Sequence, residues 1–164
     1  VAINFSSKQL RDTGYVRYLQ ELLEKHQIAA EFIEIEITES IFLRNSERAM
    51  TLFHDFLSMG VRLALDDFGT GYSSIHYLTY IPVHKIKLDK SVVDAYLCDG
   101  KDAFIENIIR LSHSQGFKIT VEGVEQEHQY ERLRSFGCDY IQGYYFSRPL
   151  PADEVIAFIR QRGA

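Results

Sequence analysis

Short apolar runs alternate along the chain with longer segments in which apolar residues recur at helical spacing. The pattern predicts six strands, at residues 2–6, 32–38, 61–65, 85–89, 117–121 and 140–145. It predicts helices between and after them, at 7–27, 45–60, 73–80, 101–115, 126–136 and from 151 onwards. Side chains suited to N-capping stand at the expected starts of three of these helices: Ser7, Asn45 or Ser46, and Ser73 or Ser74. Strands that alternate with helices predict a parallel sheet, either doubly wound or closed as a (β/α)8 barrel.

A polar residue stands at or near the carboxyl end of every predicted strand: Asn4, Glu36, Asp66, Lys87, Glu122 and Gln142. Side chains alternate along a strand, so these residues face away from the aliphatic neighbours that would contact helices. A doubly wound sheet has helices on both faces and is apolar on both. A barrel encloses one face and gathers its functional residues at the carboxyl ends of its strands. We therefore predict an α/β barrel of which about six βα units lie in this chain.

Composition narrows the function classes. The 164 residues are 46% hydrophobic and 25% charged, which is typical of one soluble globular domain. The formal net charge of -5 gives no basic surface for bulk nucleic acid, so an anionic ligand would need local cations. No apolar run approaches the roughly 20 residues of a membrane span. Cys98 and Cys138 lack metal or redox spacing, and we expect idle thiols in a reducing cytoplasm.

The strand ends predict metal chemistry. The stretch 63–74 places Asp66 and Asp67 at the end of a buried strand, before a loop that contains Gly69 and Gly71. Carboxylate and amide oxygens suit Mg²⁺ or Mn²⁺ better than zinc, and the six histidines have no ligand spacing. Several carboxylates can hold two ions for phosphoester hydrolysis, with Lys87 orienting the attacking water.

Two other interpretations of these residues remain open. In the first, the strand ends form a purely structural, salt-bridged barrel interior in which Lys87 neutralises the acids. In the second, the chain is another Mg²⁺-dependent barrel enzyme, and Lys87 is a general base that acts on a carbon acid. The chain has no dinucleotide-binding, P-loop or nucleophile-elbow motif that would indicate a different chemistry.

Five motifs in order resemble the bacterial EAL domain. They are EITES at 36–40, DDFGTGYSS at 66–74, KIKLD at 85–89, EGVE at 122–125, and QGY at 142–144 with FSRPL at 146–150. Together they cover nearly the whole chain. The resemblance implies a TIM-type barrel that hydrolyses cyclic di-GMP to linear pGpG with two Mg²⁺ or Mn²⁺ ions.

The resemblance also implies a role for each matching position. Those that match metal ligands are Asn4, Glu36, Asp66 and Glu122, with Asp67 for the second ion. Those that match catalytic positions are Lys87 for the attacking water, Glu122, and Gln142 for the metal–water site. The position that matches the anchor of the 67–74 loop is Glu39. Those that match ligand contacts are Glu125, Arg148 and Pro149.

One departure from the family pattern is large. The Glu-Ala-Leu motif of the first strand, and the arginine that follows it, do not occur. We therefore expect residues 1–164 to be the C-terminal two-thirds of a single EAL domain, cut from a longer cytoplasmic or membrane-anchored protein. We expect this protein to carry upstream sensor or GGDEF-type domains, and the chain alone to be an inactive homodimer. The alternative is a degenerate EAL domain that acts as a non-catalytic cyclic di-GMP receptor or interaction module.

Overall fold

The computed structural model describes residues 1–11, 14–44, 46–70, 78, 80–98 and 100–162. In that part of the chain one sheet has six parallel strands: β1 (Ala2–Phe5), β2 (Glu34–Thr38), β3 (Arg62–Phe68), β4 (Lys85–Leu88), β5 (Lys118–Val121) and β6 (Tyr140–Ile141). Each strand pairs with the next one in sequence. This sequential order is that of a barrel wall, because the order of a doubly wound sheet reverses at its switch point.

Helices follow the strands along the chain. The described ones are α1 (Tyr15–His26), α2 (Glu39–Arg44), α3 (Ser46–Ser58), α4 (Lys90–Tyr96), α5 (Ala103–Ser114), α6 (Glu127–Ser135) and α7 (Ala152–Arg162). Single 3₁₀ turns lie at Gln9–Arg11 and Ala30–Phe32. Of the helices described, none has both the length and the apolar character that crossing a membrane requires.

The hydrophobic core lies between one face of the sheet and these helices. Its strand residues are the predicted aliphatic positions, each at most 3% exposed: Ile35, Ile37, Leu63, Leu65, Ile86, Leu88, Ile119 and Val121. Helices α3, α5 and α6 contribute fully buried side chains to the same cluster: Phe53, Phe56, Ile105, Ile109 and Leu133. Each such side chain contributes about 1.5–3 kcal/mol. The alternation therefore leaves the other face of the sheet, here called the inner face, to polar residues.

Two predicted helix starts differ from the structure or fall outside it. The first helix begins at Tyr15 after Gly14, and the prediction that Ser7 caps it is wrong. The chain first closes a separate turn, in which the Ser6 backbone N–H donates to Gln9 Oε1 at 2.8 Å. The start at Ser46 is confirmed, whereas Asn45, Ser73, Ser74 and most of the predicted 73–80 helix lie outside the described residues.

Helix α4 was not predicted, because a helix of seven residues shows little periodicity. Its cap is Asp89, whose Oδ1 accepts from the Ser91 N–H at 2.8 Å, so β4 ends one residue earlier than predicted. Helix α5 begins at Ala103, and its buried stripe contains Ile105 and Ile109. Phe104 lies outside this stripe, is 45% exposed and stacks on Tyr96 with ring centroids 4.2 Å apart.

The last strand is also shorter than the predicted 140–145 and ends at Ile141. Beyond it the backbone pairs with the segment that follows β5. The Val124 N–H donates to the Gln142 carbonyl at 3.1 Å, and the Tyr145 N–H donates to the Val124 carbonyl at 3.0 Å. Gly143 lies so close to the Val124 backbone that a Cβ there would collide with the Val124 carbonyl oxygen. This tertiary contact turns the chain out of the sheet.

Candidate active site

Four charged side chains meet on the inner face near the carboxyl ends of the strands. The Lys87 Nζ lies 2.7 Å from Glu36 Oε1, 2.9 Å from Asp66 Oδ1 and 2.8 Å from Glu122 Oε1. Lys87 is 6% exposed, and Glu36 and Asp66 are each 9% exposed. We call these four residues the carboxylate–lysine cluster. The structure therefore brings together four of the six predicted strand-end residues.

Strand register explains why these side chains meet. Glu36 on β2 lies opposite Ala64 on β3, and Lys87 on β4 lies opposite Thr120 on β5. The small side chain of Ala64 leaves space above β3, so Glu36 and Lys87 can reach each other although β2 and β4 are not neighbours. Glu122 directly follows β5, which pairs with β4, and so lies beside Lys87.

The charges of the cluster depend on one another. Burial alone would lower the pKa of Lys87, but the carboxylates of Glu122, Glu36 and Asp66 outweigh it and raise that pKa above its ordinary value. Burial raises the pKa of Glu122, and the negative Asp66 and Glu36 add to this effect, while Lys87 opposes it. Glu122 Oε1 is buried, and its partner within the described residues is the Lys87 ammonium at 2.8 Å.

Asp67 lies beside the cluster in a different environment. It is exposed, and its backbone has a φ of 56°, a left-handed conformation that is uncommon for residues other than glycine. Its carbonyl accepts from the Thr70 hydroxyl at 2.9 Å. Burial raises the pKa of Asp67, as do the nearby charges of Asp66 and Asp89. Strained backbone of this kind is frequent at ligand sites.

Two amides flank the cluster at the edges of the sheet. Asn4 on β1 lies opposite Glu36 and is exposed. Gln142 follows β6 directly and is also exposed, and its backbone N–H donates to the Val121 carbonyl at 2.9 Å. Both residues therefore lie at the predicted carboxyl edge, but the structure does not show them in the contacts of Lys87.

Glu39 is the first residue of α2, directly after β2. Its predicted role is to anchor the 67–74 loop. Residues 71–74 of this loop lie outside the described part of the chain. The anchoring role of Glu39 therefore stays a prediction.

A cavity of about 460 Å³ opens at the same edge of the sheet, beyond β6. Its lining includes the predicted ligand residues Gln142, Arg148 and Pro149, and also Tyr144. The Arg148 guanidinium lies over the Tyr144 ring, 5.0 Å from its centroid. Tyr144 was not among the predicted site residues, although an aromatic residue four positions before a motif arginine could have indicated a stacking surface for a ligand.

Glu125, another predicted ligand contact, forms an exposed ion pair with Lys90 at 3.0 Å.

A second charged layer lies on the inner face, two residues earlier on β2 and β4. Lys85 Nζ donates to both oxygens of Glu34, at 3.0 and 2.7 Å, and lies 4.7 Å from the centroid of the Tyr140 ring. His84 Nε2 lies 3.0 Å from Glu34 Oε2. Burial acts to raise the pKa of Glu34, but the hydrogen bonds with His84 and Lys85 prevail and lower it to about 2. We call Glu34 and Lys85 the lower pair.

The three acids of the carboxylate–lysine cluster offer carboxylate oxygens, which are the metal ligands that Mg²⁺ and Mn²⁺ prefer. Glu122 Oε1 is buried and, apart from the Lys87 ammonium at 2.8 Å, has no hydrogen-bond partner among the described residues. Over the described residues, no three acidic, histidine or cysteine side chains already form a metal-holding group. The Lys87 ammonium occupies the point on which the carboxylates converge. The residues thus suit divalent cations in their chemistry.

The sequential parallel sheet and the cluster at its carboxyl edge define a barrel-type α/β domain with an acidic site. The EAL domain family model matches residues 1–149 of this chain. The chain therefore belongs to the EAL domain family, and the resemblance and fold class predicted from the sequence are confirmed.

Three relatives illustrate the similarity. The cyclic di-GMP phosphodiesterase NbdA of Pseudomonas aeruginosa is 36% identical to this chain over 161 residues, which cover 98% of this chain and 21% of NbdA. The solved PaMucR phosphodiesterase in complex with c-di-GMP has a TM-score of 0.85 and 35% identity, over 94% of this chain and 63% of that one. The manganese and cyclic di-GMP complex of Klebsiella pneumoniae BlrP1 has a TM-score of 0.82 and 31% identity, over 90% of this chain and 38% of BlrP1. The chain spans about a fifth of the length of the curated relatives it matches.

Proposed function

We propose that the domain to which this chain belongs hydrolyses cyclic di-GMP to linear pGpG with Mg²⁺ or Mn²⁺. One observation carries the proposal: Glu36, Asp66 and Glu122 converge within 2.9 Å of the Lys87 ammonium, at the carboxyl edge of a barrel-type sheet. Active sites of barrel enzymes lie at this edge. Relatives over nearly the whole chain are named as cyclic di-GMP phosphodiesterases, which supports the choice of substrate.

The charge of the cluster supports a role for divalent cations. Three carboxylates face a single ammonium, whereas the lower pair beneath them is balanced. A purely structural ion-paired interior would not require this excess of buried negative charge, which is unfavourable unless a cation compensates it. Glu36, Asp66 and Glu122 would hold the metal, with Asn4 and Asp67 at its margin. When bound, two ions would polarise the phosphate and lower the pKa of a bound water.

Lys87 and Gln142 have the proposed roles of orienting groups. Hydrolysis adds the oxygen of water to phosphorus and breaks one phosphoester bond, and the leaving oxygen takes a proton. The Lys87 ammonium, held within the carboxylates, can donate hydrogen bonds to the water and to the developing phosphate charge. Gln142 lies beside Glu122 at the end of the neighbouring strand, where its amide can hold the same water in place.

The cavity beyond β6 is the proposed site for a guanine base. Arg148 presents a planar fork of donors, which suits the O6 and N7 acceptors of guanine. The Tyr144 ring supplies a stacking surface, and Pro149 completes the wall. Glu125, which lies on the same edge, is proposed as a further contact of the ligand.

We also propose that the chain associates as a homodimer. Over the described residues β1 pairs only with β2, and β6 pairs only with β5. Tyr140 on β6 is 50% exposed, and the apolar Ile156 and Ile159 of α7 are 54% and 45% exposed. Open strand edges next to apolar side chains favour pairing with another copy. Sedimentation velocity of the purified chain tests this proposal. A chain that stays monomeric over a 100-fold range of concentration would contradict it.

The test of the proposed function is release of pGpG from cyclic di-GMP by the protein that carries this domain, with Mn²⁺ or Mg²⁺. Asp66→Asn should remove the activity and retain the fold, because Asp66 contributes a ligand oxygen rather than packing volume. The matched control is Asp139→Asn, which removes a carboxylate from a lysine pair at the opposite edge, Lys118 Nζ to Asp139 Oδ1 at 2.6 Å. Hydrolysis at a near wild-type rate in Asp66→Asn would overturn the assignment. Binding of cyclic di-GMP without any turnover would support the receptor alternative.

A further inference from the structure

The inner face carries two lysines and two glutamates at matching positions. Lys85 and Lys87 are two residues apart on β4, and Glu34 and Glu36 are two residues apart on β2. Each lysine contacts the glutamate of its own level, with a Lys85–Glu34 distance of 2.7 Å and a Lys87–Glu36 distance of 2.7 Å. Two residues of strand correspond to about 6.5 Å, so the two levels lie within reach of a flexible lysine side chain.

The Lys85 ammonium already has partners, and all of them lie outside the carboxylate–lysine cluster. Its ammonium binds both oxygens of Glu34 and also faces the Tyr140 ring at 4.7 Å. The side chains of Lys85 and Glu34 are 17% and 15% exposed, so neither charge is well solvated. A glutamate in this position without its lysine would be a buried, uncompensated charge, which is strongly unfavourable.

We propose that Lys85 is a positioning residue: by neutralising Glu34 it keeps the ammonium of Lys87 within the Glu36, Asp66 and Glu122 carboxylates. This inference rests on the proposed function only in so far as that cluster is taken to bind metal and substrate. Without Lys85, the Glu34 carboxylate attracts the other lysine of the same strand. Lys87 then turns away from the cluster and toward Glu34.

Removal of Lys85 should therefore separate two properties of the site. The carboxylates lose a competing ammonium and bind a divalent cation more tightly, whereas hydrolysis slows because Lys87 no longer faces the water. A variant that is merely misfolded would lose both properties together. Tighter metal binding with slower turnover is thus specific to displacement of Lys87.

The experiment compares Lys85→Met with the double variant Glu34→Gln/Lys85→Met in the 164-residue chain. All variants are measured at the same pH, 8.5. The first readout is Mn²⁺ affinity by electron paramagnetic resonance. The second is the ¹⁵Nζ resonance of Lys87, assigned by its loss in Lys87→Arg.

In Lys85→Met we expect about tenfold tighter Mn²⁺ binding, the scale of effect seen for residues that orient metal ligands, and a shifted Lys87 resonance. The double variant removes the charge of Glu34 as well. We expect its Mn²⁺ affinity to return to within about twofold of the wild type, and its Lys87 resonance to return to the wild-type position. The control is Lys118→Met, which breaks an ion pair with Asp139 outside the two levels and should leave both readouts unchanged.

An unshifted Lys87 resonance in Lys85→Met, or weaker Mn²⁺ binding, would overturn the inference. So would a double variant that behaves like the single one or unfolds with it, because the lysine would then act by packing. If the wild-type chain binds no Mn²⁺, the resonance alone decides. If the protein that carries this domain never hydrolyses cyclic di-GMP, while the variants of the chain behave as expected, the proposed function is overturned and this inference stands.

Discussion

Asp66 and Asp67 are consecutive residues with opposite surroundings. Asp66 is 9% exposed, and its Oδ1 lies 2.9 Å from Lys87 Nζ, whereas Asp67 is exposed and has a φ of 56°. The change of backbone conformation between them ends the regular alternation of β3. One carboxylate therefore belongs to the buried cluster, and the next is presented to solvent beside it.

The left-handed backbone of Asp67 predicts a difference between two variants that both lack its carboxylate. Asp67→Ala must place a Cβ at a φ of 56°, which costs about 1 kcal/mol or more, whereas glycine adopts this conformation freely. We expect Asp67→Gly to be more stable than Asp67→Ala by about 1 kcal/mol in urea denaturation. Both should lose metal-dependent hydrolysis to the same extent. Equal stability of the two variants would show that the backbone relaxes at this position.

Replacement of Lys87 should produce a metal-dependent loss of stability. Lys87→Met keeps most of the side-chain volume but leaves three buried carboxylates without their ammonium. In EDTA we expect the free energy of unfolding to fall by about 3 kcal/mol, and saturating Mn²⁺ to restore it because the ion binds only the folded state. Turnover should fall far more than affinity for cyclic di-GMP, because Lys87 acts on the water.

The control for Lys87→Met is Lys90→Met, which removes the exposed pair with Glu125 and should leave stability near that of the wild type with or without metal. If Mn²⁺ fails to stabilise Lys87→Met, the carboxylates are not a cation site. If affinity for the nucleotide falls and turnover does not, Lys87 is a binding residue.

Glu34 predicts a pH dependence of stability. Its pKa is about 2 in the folded protein against an ordinary value of 4.5, so the unfolded chain takes up its proton first as pH falls. The stabilisation is complete above pH 4.5 and is lost between about 4.5 and about 2. Allowing for partial solvent screening, we expect Glu34→Gln to be about 2 kcal/mol less stable at pH 7 and equal to the wild type near pH 2.

This pH dependence is measured by thermal unfolding across pH 2–7. Asp139 also has a lowered pKa in the fold: burial opposes this, but Lys118 and His113 prevail. Asp139→Asn should therefore remove a separate part of the same acid transition, and the two effects should add because the residues share no partner. A difference between Glu34→Gln and wild type that persists unchanged at pH 2 would contradict the assignment.

The Arg148–Tyr144 pair predicts base selectivity. Arg148→Lys keeps the charge but loses the planar fork, so we expect affinity for cyclic di-GMP to fall about tenfold and affinity for cyclic di-AMP to change little. Calorimetry with both dinucleotides in EDTA checks this. The control is Arg110→Lys, an exposed arginine paired with Glu106 on α5. An equal loss for both dinucleotides would assign Arg148 to the phosphates instead of the base.

The sheet and the strand-end residues were predictable because alternation is a local signal. Ile35 and Glu36, for example, differ so strongly in polarity that their opposite faces follow from sequence alone. The start of α4 depends on the Asp89 cap, and the end of β6 depends on the close contact of Gly143 with Val124. Both are determined by single contacts that no periodicity reports. The partner of Glu34 depends on register across β3, which the sequence does not specify.

Ala64 is fully buried on the inner face and has no functional group of its own. It lies in register between Glu36 on one side and Lys85 on the other, so both long-range pairs cross β3 beside its single methyl group. A larger side chain here would act as a spacer that lengthens both pairs at once, without touching any charged residue. A residue that takes no part in the chemistry thus sets its geometry: the free volume beside Ala64 lets both lysines reach across β3 to their acids.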